Sequence, residues 1–463
     1  MVGSEQGGVT VTAMETAIQE EALQRYRPYP AYKDSGVDWL GKIPEHWQVK
    51  RLRFLVSMNP VASEVRGLAA DTEVTFVPME AIGEMGGLDL SQSKLLDNIG
   101  QGYTYFRDGD VVVAKITPCF ENGKGALAAG LINGIAFGTT ELHVLRPGPD
   151  GNPRFLFYVS QSDAFRRLGE AEMYGAGGQK RVPESFVKDL CHTLPNQEEQ
   201  FAIASFLDRE TTRIDALVAK KQRLIELLQE QRTALVTRAV TTDLDARSDA
   251  YIAGTEIFPL LPLGWKIRKL RRILTQKKRP VEVQQDSDYQ EIGIRSWGRG
   301  IFHKEPLKGA LLEEKSVYRI QPGDFVLNIV FAWEGAVAIA SEQERGMIGS
   351  HRFPTFLVSE EVDPDYLLMV FQVGQGRWLM EVNSPGAAGR NKTIRLNQFL
   401  DELIPLPPLA TQQALVRRVR EEEQRLADLT QKLRIAIARL QELRTAVISA
   451  AVTGKIDVRE EVV

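Results

Sequence analysis

Between Leu426 and Val447 apolar residues fall at Leu426, Leu429, Leu433, Ala436, Leu440, Leu443 and Val447, alternately three and four apart. That spacing is a heptad seam, and it predicts a helix packed lengthwise against another helix. The same register 212 residues earlier (426 − 212 = 214) gives Ile214, Leu217, Lys221, Leu224, Leu228, Gln231 and Leu235. Two of these, Lys221 and Gln231, are polar where the later helix has Leu433 and Leu443. Polar seam residues cost stability and fix register. Asn196, three residues before Glu199, suits a capping box at the start of the first helix. Gly454 suits the C-terminal cap of the second. The matched lengths and shared register predict that the two helices form a coiled coil with each other.

Elsewhere the pattern shortens. Runs such as "TEVTFVP", "DVVVAKI" and "DFVLNIVFAW" are β-branched or aromatic and are bounded by Gly, Pro and Asp clusters, which predicts strands. A helix is expected over "RFLFYVSQSDAFRRL" and over its counterpart in the second half. These regions read as α/β units of about 150 residues with large loops.

The similarity of the two helices extends to their residues. Leu194-Pro195 aligns with Leu406-Pro407, Gln200 with Gln412, Arg213 with Arg425, and "RTALVTRAV" from Arg232 with "RTAVISAAV" from Arg444. Over 194–245 and 406–457 there are 19 identities in 52 gap-free pairs, against about 3 for unrelated segments. The flanks repeat as well. "IPEHWQVKRLRFLV" from Ile43 matches "LPLGWKIRKLRRIL" from Leu261, and "GDVVVAKI" from Gly109 resembles "GDFVLNIV" from Gly323. The loops "GAGGQKRV" and "GAAGRNKTI" then precede Phe186 and Phe399. The organisation is therefore a tandem internal repeat, a variable unit and a long helix, twice over.

Bulk properties narrow the function. A chain of 463 residues holds more than one core. No apolar run is long enough to span a membrane, and the N-terminus lacks the features of a secretory signal, so a cytoplasmic protein is expected. Cys119 and Cys191 form no ligand pair with close spacing, and Cys191-His192 has no second pair to complete a metal site. No phosphate loop, dinucleotide fingerprint, H-E-x-x-H or G-x-S-x-G is present, and Asn59-Pro60 continues with Val61 rather than a methyltransferase motif. A binding protein is expected rather than an enzyme.

A net charge of −4 argues mildly against a surface coated in positive charge. Local clusters matter more. The run "KIRKLRRILTQKKR" from Lys266 to Arg279 has eight Lys or Arg and no acid, as phosphate contacts require; "KRLR" at Lys50 is a weaker version. "GGQKR", ending at Arg181, and "GRNK", ending at Lys392, recur at equivalent places, and "RSWGRGIFHK" from Arg295 occurs in the second unit alone. Glycine-rich loops with Arg, Lys, Asn and Gln can approach phosphates and reach base edges. The candidate DNA contacts are thus Gln179, Lys180 and Arg181 in the first unit. In the second they are Lys266, Arg268, Arg271, Arg295, Trp297, Arg299, Arg390, Asn391 and Lys392.

"YPAYKDSGVDWLGKIPEHWQVKRL", "LPNQEEQFAIASFLDRETTRIDAL" and the terminal "RTAVISAAVTGKIDVR" resemble type I restriction–modification specificity subunits, in the right order from about residue 28 to 460. The second unit departs in having "FPLLPLGW" where the first has "DWLGKIPEHW". The resemblance implies an N-terminal tail (1–28), a first target-recognition domain (29–193) and a central spacer helix (194–246). A second recognition domain (247–404) and a C-terminal spacer helix (405–463) complete the plan, and the resemblance implies that the two spacer helices form an antiparallel coiled coil. It implies a protein without a catalytic site that reads a bipartite double-stranded DNA target. It further implies that the spacer docks two methyltransferase subunits, which carry the S-adenosylmethionine, and that motor-endonuclease subunits join them. The identical polar pairs Gln200 and Gln412, Glu230 and Glu442, and Arg232 and Arg444 are then expected to be two copies of one methyltransferase docking surface. The alternative is a coiled-coil scaffold without DNA readout.

Overall fold

The computed structural model describes residues 25–100, 102–176, 178–242, 251–312, 316–386 and 392–461. The chain forms two compact units, 1–222 with 434–463, and 223–433. Each unit therefore takes in part of both long helices, rather than ending where they begin.

The first unit contains β1 (Gln48–Arg51), β2 (Val56–Met58), β3 (Val111–Ala114), β4 (Gly125–Leu127) and β5 (Leu142–Pro147). Helices α1 (Pro153–Gln161) and α2 (Asp163–Ala171), strand β6 (Cys191–Leu194) and the long α3 (Gln197–Thr241) follow. An antiparallel sheet runs β2-β5-β3-β4, with the all-buried Val-Val-Val-Ala of β3 inside it. β1 pairs with β6. A second four-stranded sheet is made by 73–77, 93–95, 104–107 and 135–138, and its Glu73–Val77 and Ile135–Gly138 strands run parallel.

The second unit rebuilds the first of these sheets. It has β7 (Lys266–Lys269), β8 (Leu274–Lys277), β9 (Phe325–Leu327), β10 (Val337–Ile339) and β11 (Thr355–Val358). Helices α4 (Pro364–Gln372) and α5 (Gly374–Val382), strand β12 (Leu403–Leu406) and α6 (Leu409–Val452) complete the series. The sheet order is β8-β11-β9-β10 and β7 pairs with β12, strand for strand as before. The remaining strands of this unit form only two-stranded pairs, so the copies diverge away from the shared sheet.

The helix expected over "RFLFYVSQSDAFRRL" is two helices. Asn152 caps α1 by accepting from Arg154 N and Phe155 N, with Pro153 at the first helical position. Ser162 then ends α1 and caps α2, accepting from Phe165 N. In the second unit Asp363 and Pro364 open α4 in the same way.

The long helices are held to their units by one device made twice. Gln200 donates from Nε2 to Asp150 O and Pro195 O (both 3.0 Å) and accepts from Asn152 N at 2.8 Å. Gln412 donates to Glu361 O (3.0 Å) and Pro407 O (2.8 Å) and accepts from Asp363 N at 2.8 Å. Both side chains are fully buried. Each amide thus ties a long helix to the N-terminus of a short one. Beside this joint the charges reverse: Arg154 of α1 pairs with Asp208 of α3, whereas Asp365 of α4 pairs with Arg420 of α6 at 2.6 Å. The attraction is retained with its polarity exchanged.

At the start of α3, Asn196 Oδ1 accepts from Glu199 N at 2.9 Å, but Glu199 turns to His46 Nε2 at 2.8 Å instead of returning to the cap. Only half of the expected capping box forms. Gly454, at φ +72°, ends α6, with Lys455 N bonding Ala450 O and Gly454 N bonding Ala451 O, a Schellman cap. The segment before Tyr29 is not all tail. Tyr26 packs edge-on against Phe206 of α3 with ring centroids 5.3 Å apart, and Arg27 O accepts from Asp457 N at 2.7 Å. Residues 1–24 lie outside the described residues.

The helices pair antiparallel inside each unit, shown by Arg444 to Asp215 (3.0 Å) in the first and Arg232 to Glu423 (2.8 Å) in the second. The seam is not the expected one. Ile214, Leu228 and Leu426 are buried and Leu433 and Leu440 half-buried, but Leu217, Leu224 and Leu429 are exposed. The inward positions are instead Ile214, Val218, Lys221, Ile225 and Leu228 on α3, and Leu426, Thr430, Leu433, Ile437 and Leu440 on α6. The helices have turned by one position at every second step. Adjacent Leu224 and Ile225 made either register possible. The chosen one turns the identical pair Ile225 and Ile437 inward, and its next positions are Arg232 and Arg444, whose partner acids lie on the facing helix.

Candidate nucleic-acid interface

The structure separates basic residues committed to internal acids from those that are not. In β7 and the turn after it, Lys269 and Arg271 both bind Asp401, Arg271 through Nε (2.7 Å) and Nη2 (2.5 Å). The first unit has the same arrangement, with Arg51 and Arg53 on Asp189. Arg279 binds the buried Asp324 through both terminal nitrogens, at 2.7 and 3.0 Å. The run 266–279 is therefore a strand, a helical turn and a second strand, with three of its cations neutralised. Arg271 moves from the DNA-contact set to the packing of β7 and the 396–401 turn. Lys266 stays exposed, and Arg268 is half-buried against Ile267 O.

In the first unit Tyr174 and Arg181 are bridged, Tyr174 N bonding Arg181 O and Arg181 N bonding Tyr174 O, which closes the loop between them. Arg181 also grips Glu141 with two hydrogen bonds, 2.9 Å from Nε and 2.7 Å from Nη2. Those bonds hold the Glu141 carboxyl below the usual glutamate range, against some burial that opposes them. Arg181 is thus the anchor of the loop and not a free reader of bases. Gln179 and Lys180 remain exposed at its tip. Tyr174 joins them with 65% of its surface exposed. Sequence reasoning passed over it, although an aromatic residue flanking a glycine-rich basic loop was a readable signal.

The second unit carries the richer surface. Arg295, Trp297 and Arg299 stand exposed on one loop. Arg377 of α5 lies over the Trp297 ring, 4.8 Å from its centroid, and Arg295 lies 5.3 Å over Phe302. Lys392 sits 4.6 Å over Trp333 and pairs with Glu381 at 3.3 Å. Among the described residues Arg295, Arg299 and Arg377 have no carboxylate partner. Arg390 and Asn391 lie outside the described residues. Arg377 and Trp333 were invisible to motif reasoning because distant segments bring them to the loop, whereas Phe302 lies within the "RSWGRGIFHK" stretch itself.

The docking set divides also. Glu230 and Arg232 are exposed and Glu442 half-buried, but Gln200, Gln412 and Arg444 are buried. The two glutamines are consumed by the helix joints, and Arg444 by Asp215 and Met85 O. These three identities are explained inside the fold, so they are not an accessible docking surface.

His192 is buried beside Trp39, with ring centroids 5.7 Å apart, and burial pushes its imidazole down to about 4. Among the described residues no three His, Cys, Asp or Glu side chains are grouped to hold a metal ion. No described helix is long and apolar enough to cross a membrane.

No family model matches the chain. It is 35% identical over 185 residues to the type I restriction enzyme EcoAI specificity subunit of Escherichia coli, covering 40% of this chain and 31% of that one. The match thus spans about a third of that relative's length. Among solved structures, the HsdS subunit from Thermoanaerobacter tengcongensis superposes with a TM-score of 0.54 at 17% identity, over 89% of this chain and 98% of the other. A chain from a study of complex assembly and conformational transition in the type I R-M system gives 0.67 at 17% identity, covering 88% and 98%. These likenesses establish the fold.

Proposed function

We propose that this chain is a type I restriction enzyme specificity subunit, which selects the DNA target of a methyltransferase and endonuclease complex; its likeness to such subunits in part of its sequence and in its fold supports this. The observation that carries the reading is the duplication. One sheet with one strand order is built twice, each copy tied by a buried glutamine to a long helix. Each copy also presents its own exposed loop of basic and aromatic side chains. Two recognition units suit a bipartite duplex target, whose strands are related by a dyad. Cations without an internal carboxylate partner among the described residues, chiefly Arg295, Arg299 and Arg377, supply phosphate attraction, and Gln179 with Lys180 can reach base edges.

On this reading the chain has no catalytic role. Two methyltransferase subunits dock on the long helices and bring S-adenosylmethionine, and motor-endonuclease subunits complete the restriction complex. Glu230, Arg232 and Glu442 are the docking residues that stay accessible.

The test is single-molecule sequencing of adenine methylation in the native genome, with and without this gene. One bipartite motif, methylated on both strands, should disappear with the gene. A methylome that is active but unchanged would overturn the reading. Binding of the full chain to that duplex should also weaken steeply as salt rises from 50 to 200 mM.

A further inference from the structure

The loop 295–300 holds a tryptophan where turn geometry favours asparagine or glycine. Trp297 has φ +67° and Gly298 φ +60°. Two successive residues with positive φ are a conformation that Asn-Gly usually supplies. A bulky residue in that conformation is strained, and such strain concentrates where function requires it. The indole gains little packing in return, since 56% of Trp297 is exposed. Two costs thus fall on one residue, and the Arg377 guanidinium over the ring offsets them only in part.

The loop is nevertheless held firmly. Trp297 N donates to Glu334 O and Gly298 N to Gly335 O, both at 2.8 Å. Gln372 Nε2 reaches Gly298 O at 3.1 Å, and Ser296 Oγ reaches the Glu334 carboxylate at 2.5 Å. Arg299 Nε bonds Ser296 O at 3.0 Å. Arg377 lies over the indole, and its Nε has no hydrogen-bond partner. The result is a flat aromatic surface, backed by a guanidinium, on a loop that also carries the exposed Arg295 and Arg299.

We propose that Trp297 is a stacking platform for a nucleobase displaced from the helical stack of the DNA target, within the half read by the second unit. The proposal rests on the DNA-reading function above and adds what the site takes. A duplex groove offers base edges, whereas an indole face needs the face of an unstacked base. Flanking arginines hold the adjoining phosphates, and the fixed turn means that the platform is formed before DNA arrives. Stacking tolerates any base, so the residue contributes affinity and local distortion and leaves base identity to its neighbours.

The experiment measures binding of the full chain to a duplex carrying the motif found by methylation sequencing, with abasic sites placed one at a time through both halves. Wild type, Trp297→Phe and Trp297→Leu are compared; all keep an exposed side chain, so folding is not at issue. One abasic position in the half read by the second unit should cost wild type and Trp297→Phe about tenfold in affinity, and cost Trp297→Leu nothing further. Losses that are the same in all three proteins at every position would overturn the platform while leaving DNA reading intact. Unchanged duplex affinity in Trp297→Leu, with loss of a co-purifying protein subunit, would make the tryptophan a protein contact instead. A wild-type chain that binds no duplex would remove the proposed function and this inference with it.

Discussion

Replacing Gln200 by leucine distinguishes a joint from a docking surface. The substitution keeps volume and removes an amide that makes three hydrogen bonds, two to carbonyls at 3.0 Å and one from Asn152 N at 2.8 Å. The orphaned groups are Asp150 O, Pro195 O and Asn152 N–H, the Pro195 O bond being buried and the others partly so. At about 1 kcal/mol for each group left unpaired, the cost is about 3 kcal/mol, or roughly two decades in an opening equilibrium. Gln412→Leu should cost the same, because its three distances agree with those of Gln200 to within a few tenths of an ångström. Hydrogen exchange resolved by peptide is the suitable assay, since a chain of two units need not unfold in one step. Gln200→Leu should accelerate exchange about a hundredfold at 150–156 and 195–203 and leave 361–367 unchanged; Gln412→Leu should do the converse. Unaltered protection, combined with loss of binding to methyltransferase subunits, would refute the joint and restore the glutamines as docking residues.

Arg154→Asp should destabilise the first unit by about 0.5–1 kcal/mol, the modest worth of a partly exposed pair. Arg154→Asp with Asp208→Arg should recover the ion-pair part of it in a double-mutant cycle, because the second unit already uses that polarity in Asp365 and Arg420, but not the bond that Tyr158 Oη donates to Asp208 at 2.8 Å. The Arg181 to Glu141 clamp should release the 174–181 loop only in acid. Glu141 sits below its ordinary value of about 4.3, so its contribution is complete above that value and lost as pH falls through the lower folded one. Tyr174 exposure followed by hydrogen exchange at pH 7 and pH 3 should show this, and Glu141→Gln should remove the pH dependence. For His192 the buried imidazole is held neutral down to about 4. The unfolded chain then binds a proton that the folded one refuses as pH falls from about 6.5, and up to about 3 kcal/mol of stability is lost across that window. Urea titrations at pH 7 and pH 4.5 should show a smaller pH effect for His192→Leu than for wild type; equal effects would refute the assignment.

The duplication and the two helices were legible in the sequence because heptad spacing and residue identity act locally along the chain. The seam register was not. Leu217 and Leu224 satisfy a three-then-four alternation as well as Val218 and Ile225 do, so spacing alone does not choose between them. The register adopted is accompanied by ion pairs across the helix pair, Arg232 with Glu423 and Arg444 with Asp215. The basic stretch 266–279 was legible as charge but not as free charge, since Asp401 and Asp324 are supplied by distant segments. Trp297 was singled out by composition alone; its left-handed backbone and the Arg377 guanidinium behind it required coordinates.

Identity between two halves of a duplicated chain is a record of constraints that both halves share, and the structure assigns several of those constraints to the fold. Gln200 and Gln412 close the same joint, and Trp47 and Trp265 fill equivalent cores. The ion pair at the joint survives with its charges exchanged, which shows that the contact persisted while the letters changed. Residues that serve a variable target should follow the opposite rule and differ between the copies. The exposed sets do lie on different loops: the first unit offers Tyr174, Gln179 and Lys180 on a loop clamped to Glu141, and the second offers Arg295, Trp297 and Arg299 on a loop backed by Arg377. Recognition of two unlike half-sites is therefore to be sought where the copies disagree. Exchanging loop 295–300 for a short Asn-Gly turn should alter one half of the recognised motif and leave the other half unchanged. A change in both halves, or in neither, would show that the division of labour between the units is not the one drawn here.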